Sequence, residues 1–488
     1  MAEKLSQYKG KRNFGQTPEP AGGERGYEEG GRFVVQQHDA RNLHWDLRLE
    51  RDGVLASWAL PRGVPGHPDE NRLAVRTEDH PLEYLDFHGE IPKGSYGAGT
   101  MDIWDRGTYA CEKFRENEVI VVLDGERVQG RYALIHTKGK DWLIHRMDPP
   151  ADPAAEPMPG RIEPMKARTG GLPRDDGAFG YEIKWDGVRA VVHLDAGHVE
   201  AFGRSGADFT PRYPELRELA RAVGAQRMIL DGEVVAFDPE GRPSFQGLQA
   251  RMHLASDSAV KRKMRQVPAT YVIFDLLWLD GHSTLSLAYE ERRRLLESLE
   301  LDGPTWRTPA YRAGDGAALL EASRAQGLEG IMAKRLDCPY DPGRRASGWI
   351  KVKNVASQEL VIGGWTPGEG GRSGRLGALC VGVHDEEGRL VYAGKVGTGF
   401  TEATLGLLKR ELEPLRSDTS PFEGRQPPKG TVFVEPELVA HVEFREWTQT
   451  GTLRAPSFKG LRDHIDAAEV VREPQVPARE EGAITPDG

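Results

Sequence analysis

A proline-rich stretch, PPADPAAEP at Pro149–Pro157, divides the chain into two parts. Proline lacks a backbone N–H and fixes φ, so this stretch can neither continue a helix nor pair inside a sheet. At 488 residues and 54 kDa, the chain also exceeds what one hydrophobic core usually serves. We therefore expect about three domains, with an N-terminal domain at 1–148 and a linker at 149–160.

The composition is that of a water-soluble globular protein, with 38% hydrophobic and 29% charged residues. The first residues, MAEKLSQYKGKR, lack the apolar core of a signal peptide, and no apolar run approaches a membrane span. A net charge of −10 argues against a simple nucleic-acid coat, although Lys261–Arg265 forms a local basic run that also fits a solvated surface. We expect a cytoplasmic protein without membrane contact.

The N-terminal domain shows a strand pattern at Leu43–Glu50, where residues alternate strictly between apolar and polar. The apolar face carries Leu43, Trp45, Leu47 and Leu49, and the polar face carries His44, Asp46, Arg48 and Glu50. An Asp-Gly turn follows and leads into Val54–Trp58, which predicts a β-hairpin in a mostly-β domain.

Two histidines and a carboxylate cluster around this strand: His38, His44 and Asp46. Such a set suits Mn²⁺, Zn²⁺ or Fe²⁺ and leaves positions open for water or substrate. Arg48 lies on the same polar face, where a guanidinium offers a planar pair of donors to phosphate. Taken alone, a polar strand face of this kind also fits plain solvent-exposed surface.

After the linker the pattern changes twice. The segment 161–355 mixes strands such as Tyr271–Leu279 with helices such as Tyr289–Leu299. The segment 356–472 returns to short strands that suit a small barrel, namely Leu360–Gly364, Ala378–His384, Leu390–Val396 and Thr431–Leu438. The Pro-, Glu- and Gly-rich tail at 473–488 is expected to be disordered.

The segment EIKWDGVR, Glu182–Arg189, places Lys184 just before a turn. A lysine attacks phosphorus only as the neutral amine, whereas a free lysine has a pKa of about 10.4, so a catalytic lysine needs supporting groups. Alone, this segment fits a simple Asp-Gly hairpin. Five further motifs follow in order: RSG at 204–206, DGEVV at 231–235, VIFD at 272–275, EGIMAK at 329–334 and WIKVK at 349–353.

These six ordered motifs resemble the covalent nucleotidyltransferases, in particular the ATP-dependent DNA ligases, over about residues 160–470. The resemblance implies a multidomain α+β protein, with a central nucleotidyltransferase domain of antiparallel sheets and helices and a C-terminal OB-fold β-barrel. It implies that Lys184 attacks the α-phosphate of ATP and carries AMP to a DNA 5′-phosphate, after which the 3′-hydroxyl seals the nick.

Roles follow for the surrounding side chains. Lys351 and Lys353 alternate along a strand, so both ammonium groups can face the α-phosphate. Glu329 suits Mg²⁺ or Mn²⁺, since these ions prefer oxygen ligands. The other assignments are Glu233 for the ribose, Phe274 for stacking on adenine, and Glu182, Arg189 and Arg204 for further contacts with the nucleotide.

Four N-terminal motifs resemble the 3′-phosphoesterase domain of bacterial DNA ligase D and some archaeal relatives: FVVQQHDA at 33–40, RLAV at 72–75, EDHPLEY at 78–84 and GSYGAG at 94–99. The resemblance implies a β-barrel that binds Mn²⁺ through His38, His44 and Asp46. It places Arg48, Arg72, His80 and Tyr84 around the scissile phosphate. Removal of a 3′-terminal ribonucleotide or 3′-phosphate would leave the 3′-hydroxyl that a ligase needs.

The chain departs from both patterns. Arg12-Asn13 stands where the phosphoesterases have Arg-Asp, and Leu461–Asp466 contains Arg462 but lacks the lysine of the ligase motif Arg-x-Asp-Lys. The length also leaves no room for the polymerase domain of ligase D. We expect a monomer that acts on DNA nicks and ends, with a Ku-like end-binding protein and a separate polymerase as partners.

Two other functions fit parts of the same sequence. An RNA ligase or a capping guanylyltransferase would share the lysine chemistry, although the N-terminal domain and the spacing of the motifs disfavour it. A DNA end-binding scaffold with one inactive domain is the alternative from another class, and the intact Lys184, Glu233, Glu329, Lys351 and Lys353 argue against it.

Overall fold

The computed structural model describes residues 4–23, 31–252, 254, 256–368, 376–463 and 465–473. The expected disorder of the tail falls mostly on 474–488, which lie outside the described residues. Among the described residues, no helix combines the length and the apolar character needed to cross a membrane.

The N-terminal unit is a barrel that closes where its first strand pairs with its sixth. The ring runs β1-β2-β3-β4-β9-β8-β7-β6 and returns to β1, and β5 pairs with the start of β6. The mostly-β prediction is therefore confirmed. Its elements are α1 Ser6–Gly10, β1 Arg32–Asp39, β2 Leu43–Arg51, β3 Val54–Leu60, β4 Asn71–Arg76, β5 Gly89–Ile91, β6 Gly99–Arg115, β7 Glu118–Gly125, β8 Gln129–Lys138 and β9 Asp141–Arg146.

Both faces of β2 are buried. Its apolar face, with Trp45 and Leu47, packs inside the barrel. Its polar face lies outside the ring, beside a second cluster that contains Tyr8 and Tyr84. Asp46, Arg48 and Glu50 are therefore each no more than 5% exposed. The strand prediction is confirmed, and the plain-surface interpretation is wrong because other elements cover this face.

The central unit consists of two sheets with helices outside them. One sheet has the order β10-β20-β19-β11-β18, and the other has β13-β12-β14-β15-β16 with β17 paired to β15. The predicted strand at 271–279 is β15, and the predicted helix at 289–299 is α5. Its strands are β10 Lys166–Thr169, β11 Phe179–Ile183, β12 Val188–Asp195, β13 His198–Phe202, β14 Arg227–Ala236, β15 Ala269–Leu279, β16 His282–Ser283, β17 Trp306–Arg307, β18 Arg312–Ala313, β19 Gly330–Arg335 and β20 Arg345–Lys353. Its helices are α2 Leu216–Val223, α3 Phe245–Met252, α4 Asp257–Gln266, α5 Tyr289–Ser298 and α6 Gly316–Ala325.

A buried ion pair joins α5 to β15. Arg292 Nε donates to Asp275 Oδ1 at 2.7 Å and Nη2 donates to Oδ2 at 3.0 Å, and both side chains are fully buried. Arg292 also donates to the carbonyl oxygens of Leu287 and Cys338. The pair therefore holds α5 and the turn after β19 against the second sheet.

Replacing Asp275 with alanine is expected to lower the unfolding free energy of the central unit by about 3–5 kcal/mol, because a buried guanidinium loses its counter-charge. Scanning calorimetry of the whole chain measures this as a shift of one unfolding transition. Asp337→Ala is the matched control, since Asp337 pairs with Arg335 on the exposed surface, where water screens the pair and its loss should shift the transition far less. Equal shifts in the two variants would contradict the prediction.

The C-terminal unit is a curled antiparallel sheet around its own core. The order is β23-β22-β21-β25-β24, with β26 paired to both β21 and β29. The first three predicted strands lie in β21, β22 and β23, whereas only part of the fourth, Val432–Val434, is a strand. Its elements are β21 Ser357–Pro367, β22 Leu376–His384, β23 Leu390–Val396, α7 Glu402–Leu412, β24 Arg416–Ser417, β25 Val432–Val434, β26 Val439–Glu443, β27 Glu446–Trp447, β28 Leu453–Arg454 and β29 Ser457–Leu461.

The turn between β12 and β13 docks onto the N-terminal barrel. Ala196 is only 3% exposed and packs in the barrel's core cluster. Gly197 approaches Leu43 so closely that a Cβ atom there would lie 2.6 Å from the leucine side chain. His198 Nε2 is 2.9 Å from the carbonyl oxygen of Pro61. The barrel is therefore attached to the central unit by packing as well as by the linker.

Candidate active sites

Lys184 lies in the tight turn between β11 and β12, which belong to different sheets. Its backbone N–H donates to the carbonyl oxygen of Gly330 at 3.0 Å, which ties the turn to β19. Gly187 passes so close to β14 that a Cβ atom would lie 2.2 Å from the carbonyl oxygen of Val234. The glycine of the motif is thus required where the turn crosses between the sheets.

A cavity of about 370 Å³ opens beside Lys184 between the two sheets and the C-terminal unit. This volume is within the range of small-molecule sites. Residues from 465 to 473 form part of its wall. The cavity brings together seven of the residues predicted from the sequence: Glu182, Lys184, Arg189, Arg204, Glu233, Phe274 and Lys351.

The Lys184 amine contacts the carboxylate of Glu329, which immediately precedes β19. The two side chains are mostly buried. Glu329 can therefore accept a proton or a hydrogen bond from the amine. A carboxylate next to the lysine amine is also a ligand suited to Mg²⁺ or Mn²⁺, because such ions complete their shell with water and phosphate oxygens.

Glu182 is held from two directions. Lys334 Nζ lies 2.8 Å from Glu182 Oε2, and the Tyr289 hydroxyl donates to Oε1. Lys334 is 1% exposed, and its ammonium lies 4.4 Å from the ring centroid of Phe274. Burial lowers the pKa of Lys334. The role of Lys334 was missed in the sequence, although the alternation of Met332 and Lys334 along β19 places both on the cavity side.

Arg189 is fully engaged with a carboxylate. Its Nε and Nη2 atoms donate to Asp231 at 2.6 and 2.5 Å, and the Tyr340 hydroxyl donates to the same Asp231 at 2.7 Å. Its guanidinium carbon lies 4.7 Å from the ring centroid of Phe274. Arg189 thus lines the cavity and supports its wall around Phe274, and its contact with the nucleotide stays a prediction.

Glu233 and Arg204 also line the cavity. Burial raises the pKa of Glu233 to about 7, and the positive charge of Arg204 partly opposes this rise. Arg204 is exposed in the turn that follows β13. The two side chains add polar groups to the cavity that Phe274 also lines.

The C-terminal unit reaches the turn that carries Lys184. Arg462 Nη2 donates to Asp186 Oδ1 at 2.8 Å, and the guanidinium lies 3.3 Å from the ring centroid of Phe245. Ile465 lines the cavity, and His464 lies outside the described residues. The altered terminal motif therefore keeps its arginine at the lysine turn and presents an apolar side chain to the cavity.

Glu473 binds both lysines of the WIKVK motif. Its Oε1 lies 2.9 Å from Lys351 Nζ and its Oε2 lies 3.0 Å from Lys353 Nζ. Burial opposes ionisation, but the two ammonium groups lower the pKa of Glu473 to about 2. The expected start of the disordered tail at residue 473 is therefore wrong, because these contacts fix Glu473 in the site.

The structure also assembles the predicted metal ligands on the barrel. The donor atoms of His38, His44 and Asp46 all lie within 4.8 Å of one another. The pairing of β1 with β2 places His38 directly opposite His44. His38 Nε2 lies 2.9 Å from the carbonyl oxygen of Gly97, and His44 Nδ1 lies 3.0 Å from that of Asn42. Each ring thus donates one N–H to the backbone and keeps its other nitrogen for a metal, which fits a divalent ion.

Arg48 extends from the same strand beside this cluster. Nε donates to Gln36 at 2.7 Å, and Nη2 donates to Asp46 Oδ2 at 2.9 Å. Within the described part of the chain, its buried Nη1 atom has no hydrogen-bond partner. A buried donor without a partner is costly, and a phosphate oxygen on the metal side would satisfy it.

His80 and Tyr84 lie next to Arg48. Burial lowers the pKa of His80 well below its ordinary value, and its Nδ1 atom lies 2.8 Å from the carbonyl oxygen of Glu78. Burial raises the pKa of Tyr84, whose hydroxyl donates to Glu19. The structure thus brings Arg48, His80 and Tyr84 to one place beside the metal ligands.

The structure adds one carboxylate, Glu19, that was not predicted from the sequence. Arg12 donates to Glu19 at 2.6 Å and to Glu78 at 3.0 Å, so the N-terminal segment is fixed over the site. Asn13 is exposed, and its side chain accepts from the N–H of Gly15. Glu19, rather than residue 13, supplies the carboxylate next to Arg12.

Arg72 lies elsewhere than expected. Its Nη2 atom lies 2.9 Å from Glu70 and 3.4 Å from Asp195 of the central unit. Arg227 binds the same two carboxylates at 2.7 and 2.8 Å. These contacts correct the assignment of Arg72 to the scissile phosphate, because its charge is used between the barrel and the central unit.

Three family models match the chain in this order: the DNA Ligase D 3′-phosphoesterase domain at residues 36–136, the ATP dependent DNA ligase domain at 164–353 and the ATP dependent DNA ligase C terminal region at 372–465. The three matches fall on the barrel, the central unit and the C-terminal unit in turn.

Similar proteins carry the same combination. The multifunctional non-homologous end joining protein LigD of Mycolicibacterium smegmatis is 45% identical over 97% of this chain, and that of Pseudomonas aeruginosa is 38% identical over 96%. The chain spans 62% of the length of each. A solved mycobacterial DNA ligase D, complexed with ATP and MES, is 40% identical over 64% of this chain and 98% of its own, with a TM-score of 0.49.

Proposed function

Because the chain belongs to the ATP-dependent DNA ligases of the ligase D type, we propose that it seals DNA nicks and breaks through AMP bound covalently to Lys184. Its N-terminal domain would first remove blocks from 3′ ends, so that both activities serve non-homologous end joining. The observation that carries the proposal is the cavity in which Lys184 contacts Glu329 and lies together with Lys351 and Phe274.

In the first step, the Lys184 nitrogen attacks the α-phosphorus of ATP. A P–N bond forms, the bond to the pyrophosphate oxygen breaks, and the ammonium proton of the adduct leaves. Glu329 is in contact with the amine and is placed to hold that proton. Lys351 and Lys353 would neutralise charge that builds on the α-phosphate. Glu329 would also hold Mg²⁺ or Mn²⁺, which supplies positive charge near the phosphates.

The nucleotide itself would be held by the rest of the wall. Phe274 offers a face to adenine, Glu233 accepts from the ribose hydroxyls, and Arg204 and Glu182 frame the ring and sugar. AMP then passes from Lys184 to an oxygen of a DNA 5′-phosphate. Finally, the neighbouring 3′-hydroxyl attacks that phosphorus, forms the phosphodiester and releases AMP.

The barrel would act on the 3′ side of the same break. His38, His44 and Asp46 would hold Mn²⁺, which activates a phosphate ester toward attack by water. The Arg48 Nη1 atom would donate to the phosphate. His80 Nε2, which accepts from Arg12 Nη2 at 3.3 Å, would take part in proton transfer next to the phosphate. The product is a strand that ends in a 3′-hydroxyl, as the ligase site requires.

Further proposals concern the setting. We place the domain boundaries at 1–148, 161–355 and 356–472, with a linker at 149–160. A monomer in the cytoplasm would meet its DNA ends through a Ku-like protein, and a separate polymerase would fill gaps. A gel-shift assay tests the partnership: the purified chain and the Ku-like protein are mixed with a DNA end, and a complex that contains both proteins is expected.

The central test is incubation of the whole chain with α-labelled ATP and Mg²⁺ or Mn²⁺, followed by denaturing electrophoresis. Label bound to the protein is expected with ATP and not with GTP, and adding nicked DNA should move the label off the protein. Label from GTP would indicate a capping enzyme, and discharge only to RNA would indicate an RNA ligase. If neither nucleotide labels the protein, the proposal is refuted and the DNA end-binding scaffold is the remaining alternative.

The raised pKa of Glu233 predicts that nucleoside binding depends on pH. As pH rises through about 7, the carboxyl ionises and accepts ribose hydrogen bonds more strongly, so adenosine should bind roughly fivefold tighter at about pH 8 than at about pH 6. Calorimetric titration with adenosine measures this, and Glu233→Gln should flatten the profile. A wild-type profile without this rise would contradict the assigned role.

The same pKa shift affects stability with a definite sign. The carboxyl of Glu233 keeps its proton in the folded state at pH values where the unfolded chain, with an ordinary value of 4.5, has lost it. The folded state then binds more protons than the unfolded state. The contribution of Glu233 to the unfolding free energy therefore falls as pH rises from about 4.5 to about 7.

A further inference from the structure

The carboxylate of Glu473 occupies the position where the two lysines of the WIKVK motif converge. One oxygen binds Lys351 at 2.9 Å and the other binds Lys353 at 3.0 Å. The Thr169 hydroxyl donates to the second oxygen at 2.7 Å, and the side chain is only 14% exposed. Three donors thus surround one small anion.

A phosphate group would use the same donors. It carries negative charge on oxygens that are spaced like those of a carboxylate, and ammonium and hydroxyl groups bind both kinds of anion. Glu473 lines the cavity together with Lys184. An α-phosphate within reach of the Lys184 amine and of Lys351 would therefore meet the carboxylate of Glu473.

The position of Glu473 depends on its ion pairs. Although burial disfavours its charged form, Lys351 and Lys353 lower the pKa of Glu473, and the nearby carboxylate of Glu359 partly opposes this lowering. The backbone of Glu473 is held by a 3.3 Å hydrogen bond from its N–H to the side chain of Gln358. The segment is therefore placed in the site by its ion pairs, and an anion of higher charge can take those pairs over.

We propose that Glu473 is a built-in competitor of the nucleotide phosphate, which occupies Lys351 and Lys353 in the empty site and leaves them when ATP binds. The inference rests on the proposed function, since it takes these lysines as the phosphate-binding groups. ATP must then displace the carboxylate, and its apparent affinity is lowered by the fraction of molecules in which Glu473 is bound.

The test is nucleotide binding in a Lys184→Ala background, where no covalent adduct can form. Two proteins, Lys184→Ala with Glu473 intact and Lys184→Ala with Glu473→Gln, are each titrated calorimetrically with Mg²⁺-ATP and with adenosine. We expect ATP to bind about tenfold tighter to the glutamine variant, because one charge-assisted contact no longer has to be broken. Adenosine should bind equally to both, because it has no phosphate to compete.

Two further variants sharpen the comparison. Glu446→Gln is the matched control: Glu446 pairs with Arg454 on the exposed surface of the C-terminal unit, and its loss should leave ATP binding unchanged. Glu473→Asp keeps the charge on a shorter side chain and should give an intermediate affinity. With Lys184 intact, Glu473→Gln should lower KM for ATP in adduct formation and leave kcat within about twofold.

The other outcomes overturn the inference. Weaker ATP binding by Glu473→Gln would mean that the carboxylate positions the lysines for phosphate. An equal gain for adenosine would mean that Glu473 only fills space. If ATP binds equally well to the protein with Glu473 and to the Glu473→Gln variant, the competition is refuted and the proposed function stays intact. Absence of ATP binding in both proteins would instead refute the proposed function.

Discussion

Replacing Lys184 with alanine is expected to abolish the covalent AMP adduct and to leave Mn²⁺-dependent trimming of 3′ ends intact. The amine of Lys184 is the group that would bond to phosphorus, so its removal leaves no nucleophile at that position. Loss of the nucleophile in other covalent enzymes lowers the rate by on the order of 10⁶. Labelled ATP and denaturing electrophoresis measure the adduct, and a 3′-phosphorylated strand measures the trimming.

Two comparisons separate chemistry from structure. Lys184→Arg keeps the positive charge but should also form no adduct, because a guanidinium stays protonated and is a poor nucleophile. Both variants should still join a nick whose 5′ end already carries AMP, since that step needs only the 3′-hydroxyl as nucleophile. If Lys184→Ala still acquires label from ATP, another residue is the nucleophile and the mechanism is wrong.

Replacing His44 with alanine should stop 3′ processing without affecting the sealing of a clean nick. The change removes one of three metal ligands, and a bound metal contributes several kcal/mol to phosphate ester chemistry, which corresponds to at least about a thousandfold in rate. Mn²⁺ binding can be measured as the loss of the electron paramagnetic resonance signal of the free ion. We expect the affinity for Mn²⁺ to fall in parallel with the trimming rate. This second measurement does not depend on turnover.

His145→Ala is the control for this change. His145 is a surface histidine of the same barrel that pairs with Asn71, so its replacement should keep both Mn²⁺ binding and trimming. Full trimming activity in His44→Ala would exclude the proposed metal site. Loss of sealing together with trimming would show that the barrel and the ligase site depend on each other.

The sequence motifs meet around one cavity because they lie on strands and turns that face one another. Lys351 and Lys353 alternate along β20, so their ammonium groups had to reach one side, and the structure brings both to one carboxylate. The alternation of β2 likewise placed Asp46 and Arg48 on the same face as His44. Local periodicity was enough for these residues.

The sequence did not predict which charged side chains pair with each other when they lie far apart along the chain. Arg72 was assigned to a phosphate but binds Glu70 and Asp195, and Arg189, expected at the nucleotide, is bound to Asp231 in the cavity wall. An arginine suits a carboxylate as well as a phosphate, and only the fold decides which is near. Glu473 shows the converse, because a charged residue in a Pro- and Glu-rich tail becomes ordered once two buried lysines lie within its reach.

The docked turn at Ala196 and Gly197 has a consequence for how a broken strand is processed. A flexible tether alone would let the barrel tumble and carry a DNA end to the ligase site. Here a buried turn and four alternating charges, from Arg72, Glu70, Arg227 and Asp195, fasten the two bodies together. The proposed trimming site and the proposed sealing site would then keep a constant separation, so the DNA, rather than a swinging domain, would have to travel from one to the other.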